Sequence, residues 1–161
     1  MTSPRIDLRA EPLTSPAATT LILALNADLC ARYPGVDPAI HFRLDPEEVA
    51  PGRGLFLVAF VDDEPLACGA VRLLDHEHAE VKRMYVDQRA RRTGLARRLL
   101  AALEDEARRL GAETLLLETG ARQPEAIALY ESAGYARRGA YGDYEASPLS
   151  VFMSKTLEPR R

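Results

Sequence analysis

Apolar positions recur along this chain with two different periods, and the switches between them lay out its elements. Continuous or alternating β-rich runs over residues 55–61, 66–74 and 80–86 predict three strands. The first two are joined by Asp62-Asp63-Glu64-Pro65, turn chemistry that closes an antiparallel hairpin. The period then lengthens: Leu95, Leu99 and Leu103, with Ala96, Leu100, Ala107 and Leu110, draw one apolar stripe on a helix over 95–110, stopped by Gly111. Glu104 with Arg108 and Asp105 with Arg109 fall four residues apart on what the spacing predicts to be its outer face. A strand over 6–9, a helix over 20–33 stopped by Pro34-Gly35 and a short helix over 46–49 precede the hairpin. A strand over 114–118, a short helix after Pro124 ended by Gly134, and strands over 135–138 and 149–157 complete the chain. The order β-α-α-β-β-β-α-β-α-β-β predicts a mixed α/β architecture, one sheet with helices on both faces, in which only the crossovers require parallel pairing.

At 161 residues the chain has the size of one domain, enough to bury roughly two thirds of the surface its unfolded form exposes. No repeat or low-complexity linker divides it. A net charge of -3 argues against a general nucleic-acid partner, so basic clusters need local explanations. No apolar run approaches the roughly 20 residues that cross a bilayer. Asp7 and Glu11 make the first residues a poor secretion signal, so a cytoplasmic location is the default expectation, without a membrane partner. Cys30 and Cys68 lack metal-ligand spacing and read as reduced core residues; His41, His76 and His78 add no zinc pattern, so no metal is expected. No Cys-His or Ser-His-Asp arrangement offers a covalent nucleophile.

The candidate chemistry begins at Arg91-Arg92-Thr93-Gly94-Leu95-Ala96, between the strand ending at Val86 and the long amphipathic helix. A loop that opens into a helix presents unpaired N–H groups beside the positive end of the helix dipole, which suits a phosphate or pyrophosphate. Gly94 permits close approach and the arginines add charge. A solvated turn is the plain alternative. Arg89, Arg91, Arg92, Arg97 and Arg98 divide the same way between phosphate contact, nucleic acid and a solvated face, with phosphate contact favoured nearest Gly94.

These residues resemble the GCN5-related N-acetyltransferase (GNAT) superfamily. Arg91 to Ala96 matches its phosphate-loop signature of Gln or Arg, two variable residues, Gly, one variable residue, then Gly or Ala. Glu80-Val81-Lys82-Arg83-Met84-Tyr85-Val86 resembles the family's fourth strand, and Ala126 through Leu129-Tyr130 to Gly134-Tyr135 resembles its segment of Ala, two variable residues, Leu-Tyr, then Gly-Phe or Gly-Tyr. The resemblance is strong over 80–135, fair for the hairpin and closing strand, and topological over 1–50. It implies a single N-acetyltransferase domain over 1–161, with core motifs over 80–135 and acceptor-side elements over 1–50 and 139–148. It further implies a mostly antiparallel, twisted sheet of six to seven strands that splays between the fourth and fifth.

The resemblance also implies acetyl-CoA as acetyl donor in that splay. Its pantetheine arm would pair with Met84, Tyr85 and Val86, its pyrophosphate would rest on Arg91, Arg92, Thr93, Gly94, Leu95, Ala96 and Arg97, and the Met84 amide would hold the thioester carbonyl. Gln123 stands where many members carry Asn against the arm, with the same amide on a longer stem. Glu80 matches the glutamate that serves as base in histone-acetylating members; pairing with Lys82 or an arginine is its structural alternative, and Glu118 on the next strand is the competing base. Two such carboxylates would raise one another's pKa. Tyr130 matches the family's proton-donating tyrosine. By residue type, Tyr141 and Tyr144, with Asp143 and Glu145, would wall an acceptor site for a cationic amine, a solvated surface loop being the plain alternative, and Arg43, beside His41 and Phe42 in the region before the hairpin, would meet a substrate carboxylate. The implied reaction is acetylation of a small amine such as an amino acid, polyamine or amine antibiotic by direct attack in a ternary complex. A protein lysine or N-terminal acceptor, and a non-catalytic acyl-CoA module, stay open, as does a homodimer through the closing strands.

Overall fold

The computed structural model describes residues 2–159, and among them seven strands form one sheet. In chain order they are β1 (Ile6–Ala10), β2 (Gly54–Val61), β3 (Glu64–Leu73), β4 (His78–Val86), β5 (Thr114–Gly120), β6 (Ala136–Arg138) and β7 (Ser150–Thr156). In space the order is β1-β2-β3-β4-β5-β7-β6, antiparallel throughout except for β4 with β5. That exception follows from the connection, since helix α3 (Leu95–Arg109) carries the chain back over the sheet between those two strands. The hairpin turns on Asp62 and Asp63, both left-handed at φ 49° and 68°, a conformation aspartate tolerates better than most residues.

Helices α1 (Pro16–Arg32) and α3 cover opposite faces. Along β2 the side chains alternate: Phe56, Val58 and Phe60 pack with Ala18 and Leu21 of α1, whereas Leu57 and Ala59 join Leu95, Leu99 and Leu103 of α3. Helix α1 starts earlier than the expected residue 20, because Ser15 accepts a hydrogen bond from the Ala18 amide at 3.1 Å and Pro16 takes the first helical turn. A four-residue helix, α2 (Pro38–His41), was not expected from the sequence; the short helix expected over 46–49 is a 3-10 helix at Pro46–Val49, and α4 (Pro124–Ser132) begins at the proline.

Two expectations are corrected. Cys30 is exposed on α1 and only Cys68 is a core residue. Glu104 lies on the inner stripe of α3, not the outer face: it is 7% exposed and accepts hydrogen bonds from the Tyr135 hydroxyl at 2.8 Å and Lys155 Nζ at 3.0 Å. The solvent-side pairs of α3 are Asp105 with Arg108, at 3.1 Å, and Glu106 with Arg109. Partners from outside the helix decide Glu104, and spacing within a helix carries no information about them.

Candidate active site

Strands β4 and β5 pair only over residues 78–81 against 114–117, although β4 runs to Val86 and β5 to Gly120. The ladder ends where β4 gains a residue: Ala70 of β3 faces Lys82 and Cys68 faces Tyr85, so three steps on β4 answer two on β3. Arg83, at φ 58°, is the bulged residue, and a bulge bends its strand away from its neighbour. Gly69 lies opposite, where a Cβ would meet Met84 Sδ at 2.5 Å and Leu103 Cδ1 at 2.9 Å, so glycine makes room for the methionine. Met84, Tyr85 and Val86 are left without a β5 partner, on one wall of a cleft of about 360 Å³.

One end of that cleft is the start of α3. Arg91 Nε donates to the Val86 carbonyl at 2.9 Å and its guanidinium lies 6.0 Å from the Tyr85 ring centre, which folds the loop back on the strand. Arg92 (φ 63°) and Gly94 (φ 82°) are left-handed, and Gly94 forms the N-cap with no capping side chain and no carboxylate in the first turn. The positive end of α3 is therefore unneutralised from within. Arg91, Arg92, Gly94, Leu95, Ala96 and Arg97 line the cleft. Thr93 does not: its hydroxyl turns back to the Ala90 carbonyl at 2.5 Å. Arg89 is taken by Glu64 at 2.6 Å and Asp87 at 3.0 Å.

The opposite wall comes from α4. Gln123 precedes it, and its side-chain oxygen accepts from the Gly120 amide at 3.1 Å. Tyr33, the C-cap residue just past α1, reaches the same corner, where its hydroxyl accepts from the Arg122 amide at 3.0 Å. A Cβ on Gly120 would run into both Tyr33 Oη and Gln123 Oε1. Tyr130 borders the cleft at 5% exposure, edge-on to Tyr135 at 5.7 Å. Burial, with a smaller contribution from the charge of Glu118, raises its phenol pKa, so it stands as a neutral donor.

Both candidate carboxylates face the α1 side of the sheet. Glu80 is fully buried, with Oε1 accepting from Arg72 Nε at 2.8 Å and Oε2 from the Tyr141 hydroxyl at 2.5 Å; Arg72 also pairs with Glu48. Burial first, then the nearby Glu80 charge, raises the phenols of Tyr141 and Tyr144. Glu118 differs. Burial, reinforced by the Glu80 charge, pushes its carboxyl above the usual range, against a hydrogen bond from Ser150 and the charge of Lys82. Burial lowers the Lys82 ammonium, which donates to the Arg43 carbonyl at 2.7 Å. Arg43 thus contributes backbone; its guanidinium pairs with Asp45 at 2.7 Å and borders neither cavity.

A second cavity of about 650 Å³ opens beneath the loop before β7, bordered by Tyr33, Arg72, Tyr141 and Ser150. It meets the first at Phe42, Glu118, Gly120 and Tyr144, which border both. Tyr33, Arg72, Gly120 and Ser150 carried no signal in the sequence; each reaches the site across the fold.

Residues 22–135 match the acetyltransferase (GNAT) family. The chain belongs to that family. It is an acetyl-CoA-dependent N-acetyltransferase. The acetyltransferase is 39% identical over 155 residues to a protein of Azospirillum brasilense named IAA acetyltransferase, covering 96% of this chain and 99% of the relative. It is 40% identical over 135 residues to the [ribosomal protein bS18]-alanine N-acetyltransferase of Escherichia coli, covering 80% and 91%. A solved structure from Klebsiella pneumoniae, assigned as an acyl-CoA N-acyltransferase, shares the acetyltransferase's fold with a TM-score of 0.80 at 35% identity, covering 95% of this chain and 98% of its own. Among the described residues no helix is long and apolar enough to cross a membrane.

Proposed function

We propose that this acetyltransferase, as a single domain, transfers the acetyl group of acetyl-CoA to the primary amine of a small molecule bound beneath Tyr141 and Tyr144. The observation that carries this reading is the junction of the two cavities at Phe42, Glu118, Gly120 and Tyr144. The first cavity suits the donor. Its unneutralised helix start and Arg91, Arg92 and Arg97 match a pyrophosphate, and the unpartnered edge at Met84, Tyr85 and Val86 matches an extended arm bearing amides. Thr93 takes part only by shaping the loop, and Gln123 by fixing the Gly120 corner. The second cavity combines aromatic walls with Glu118, a lining that suits a cationic amine.

Glu118 is the proton acceptor in this reading. An alkylamine of pKa about 10 must lose a proton before its nitrogen can attack, and a carboxyl raised by burial is a stronger base than an exposed one. Glu118 takes the ammonium proton before attack; as the C–N bond then forms and the C–S bond breaks, the Tyr130 hydroxyl donates to the departing sulfur, and the proton shed by the new amide nitrogen passes through solvent to restore the phenol. The Met84 amide faces the carbonyl oxygen as charge collects there. Thiol release measured across amino acids, polyamines, amine antibiotics and peptides tests the reading: small amines should turn over, and turnover on peptides alone would overturn the acceptor class. A protein N-terminus is the second reading, favoured by the likeness to the ribosomal-protein enzyme. A cytoplasmic location and a homodimer through the exposed β6 edge complete the proposal, the latter tested by light scattering.

A further inference from the structure

The fully buried Glu80 is already committed to other groups, and its partners lie where the acceptor loop meets the sheet. Each carboxylate oxygen has its donor: Arg72 from β3 on one, Tyr141 from the loop on the other. Arg72 is the direct cross-strand neighbour of Glu80, so the pair is set by sheet register.

The loop over residues 139–149 is otherwise held by weak means. Its internal hydrogen bonds are local, from the Tyr144 amide to the Tyr141 carbonyl at 3.2 Å and from the Leu149 amide to the Ser147 hydroxyl at 3.1 Å. Gly142, at φ 59°, turns it. Its attachment to the sheet is a cluster of rings, Tyr141 and Tyr144 each 5.7 Å from Phe152, together with the Tyr141 phenol on Glu80, a second contact of that carboxylate with the Tyr144 phenol, and, at the loop's end, the Leu149 carbonyl accepting from the Ala121 amide at 2.9 Å. Tyr144 borders both cavities, so the seating of this loop sets the shape of the acceptor space.

We propose that Glu80 is a positioning residue: anchored by Arg72, it holds the acceptor loop over Glu118 through the Tyr141 hydroxyl, and it is not the proton acceptor. The groups facing it are Arg72 from β3, Tyr141 and Tyr144 from the loop, Glu118 from β5 and Lys82 along β4, with Glu48 behind Arg72. The proposal deepens the acceptor assignment made above and depends on it.

The test compares Glu80→Gln, Tyr141→Phe and the double variant. Each single change should raise the acceptor KM about tenfold with kcat within about twofold, and keep an acid limb in the kcat/KM pH profile: in place in Tyr141→Phe, and moved to lower pH in Glu80→Gln, where the charge that helps raise Glu118 is gone. The double variant should be no worse than the poorer single one, because both break one link. Amide hydrogen exchange over residues 139–149 should quicken about tenfold in each, with α3 protection unchanged. A loss of kcat of about 100-fold or more with the acid limb in Glu80→Gln, beside a near-normal Tyr141→Phe, would make Glu80 the base and overturn the proposal. Unchanged loop exchange in Tyr141→Phe would overturn it as well. If Glu80→Gln does not fold, Tyr141→Phe carries the test with the Arg72 pair intact. Exchange needs no acceptor, so a wild-type protein silent on every small amine counts against the acceptor class alone, and loop exchange still decides the anchor.

Discussion

Around Gly94 the cleft is made of backbone, whereas beneath residues 139–149 it is made of side chains drawn from distant parts of the chain. The backbone half is a loop, a helix start and a strand edge, features that bind by amide geometry and tolerate varied side chains. The side-chain half depends on Phe42, Arg72, Glu118, Tyr141 and Tyr144 keeping their places, so single substitutions there re-aim it. One half suits a donor common to a family; the other suits an acceptor that differs among its members.

Substitutions should separate the halves. The largest effect belongs to Gly94→Glu, which sets a carboxylate and a strained φ of 82° at the helix start. Calorimetry should find acetyl-CoA affinity lowered at least about 100-fold, roughly 3 kcal/mol. Next is Glu118→Gln, expected to lower kcat/KM about 100-fold or more with donor affinity kept, and to erase an acid limb lying above the ordinary carboxylate value of about 4.3. The same variant carries a stability signature. A carboxyl whose folded pKa is raised costs the fold nothing below the unfolded value of about 4.3, and the full cost appears above the folded value. Glu118→Gln should thus melt higher than the parent at pH 7 and no higher at pH 4, read by thermal unfolding at the two pH values. Tyr130→Phe should lower kcat about tenfold or more with cofactor affinity unchanged; unaltered turnover would remove it from the proton-donating role. Smallest, Phe42→Ala should raise the acceptor KM several-fold and leave the acetyl-CoA Kd alone, measured by steady-state kinetics and titration; equal losses in both would blur the division between halves.

The same division decides what could be read in advance. The loop from Arg91, its glycine and the helix it opens are consecutive, and their period and turn chemistry stand in the sequence; the hairpin and the crossover were legible for the same reason. The bulge was not, because Arg83 takes a left-handed conformation with no glycine or asparagine to announce it. Arg72 and Glu80 are cross-strand partners, a relation that appears only once register is known. Glu104 shows the limit of periodicity: spacing along α3 finds its neighbours within the helix, and Tyr135 and Lys155 turn it inward.

Among the described residues, four paired positions join β1 through β4 to the remainder of the sheet. The sheet is therefore two plates sharing a short seam, with an open slit beyond it. A molecule that hydrogen-bonds along both lips of that slit sutures them, so a loaded protein should resist being pulled apart across the seam far better than an empty one.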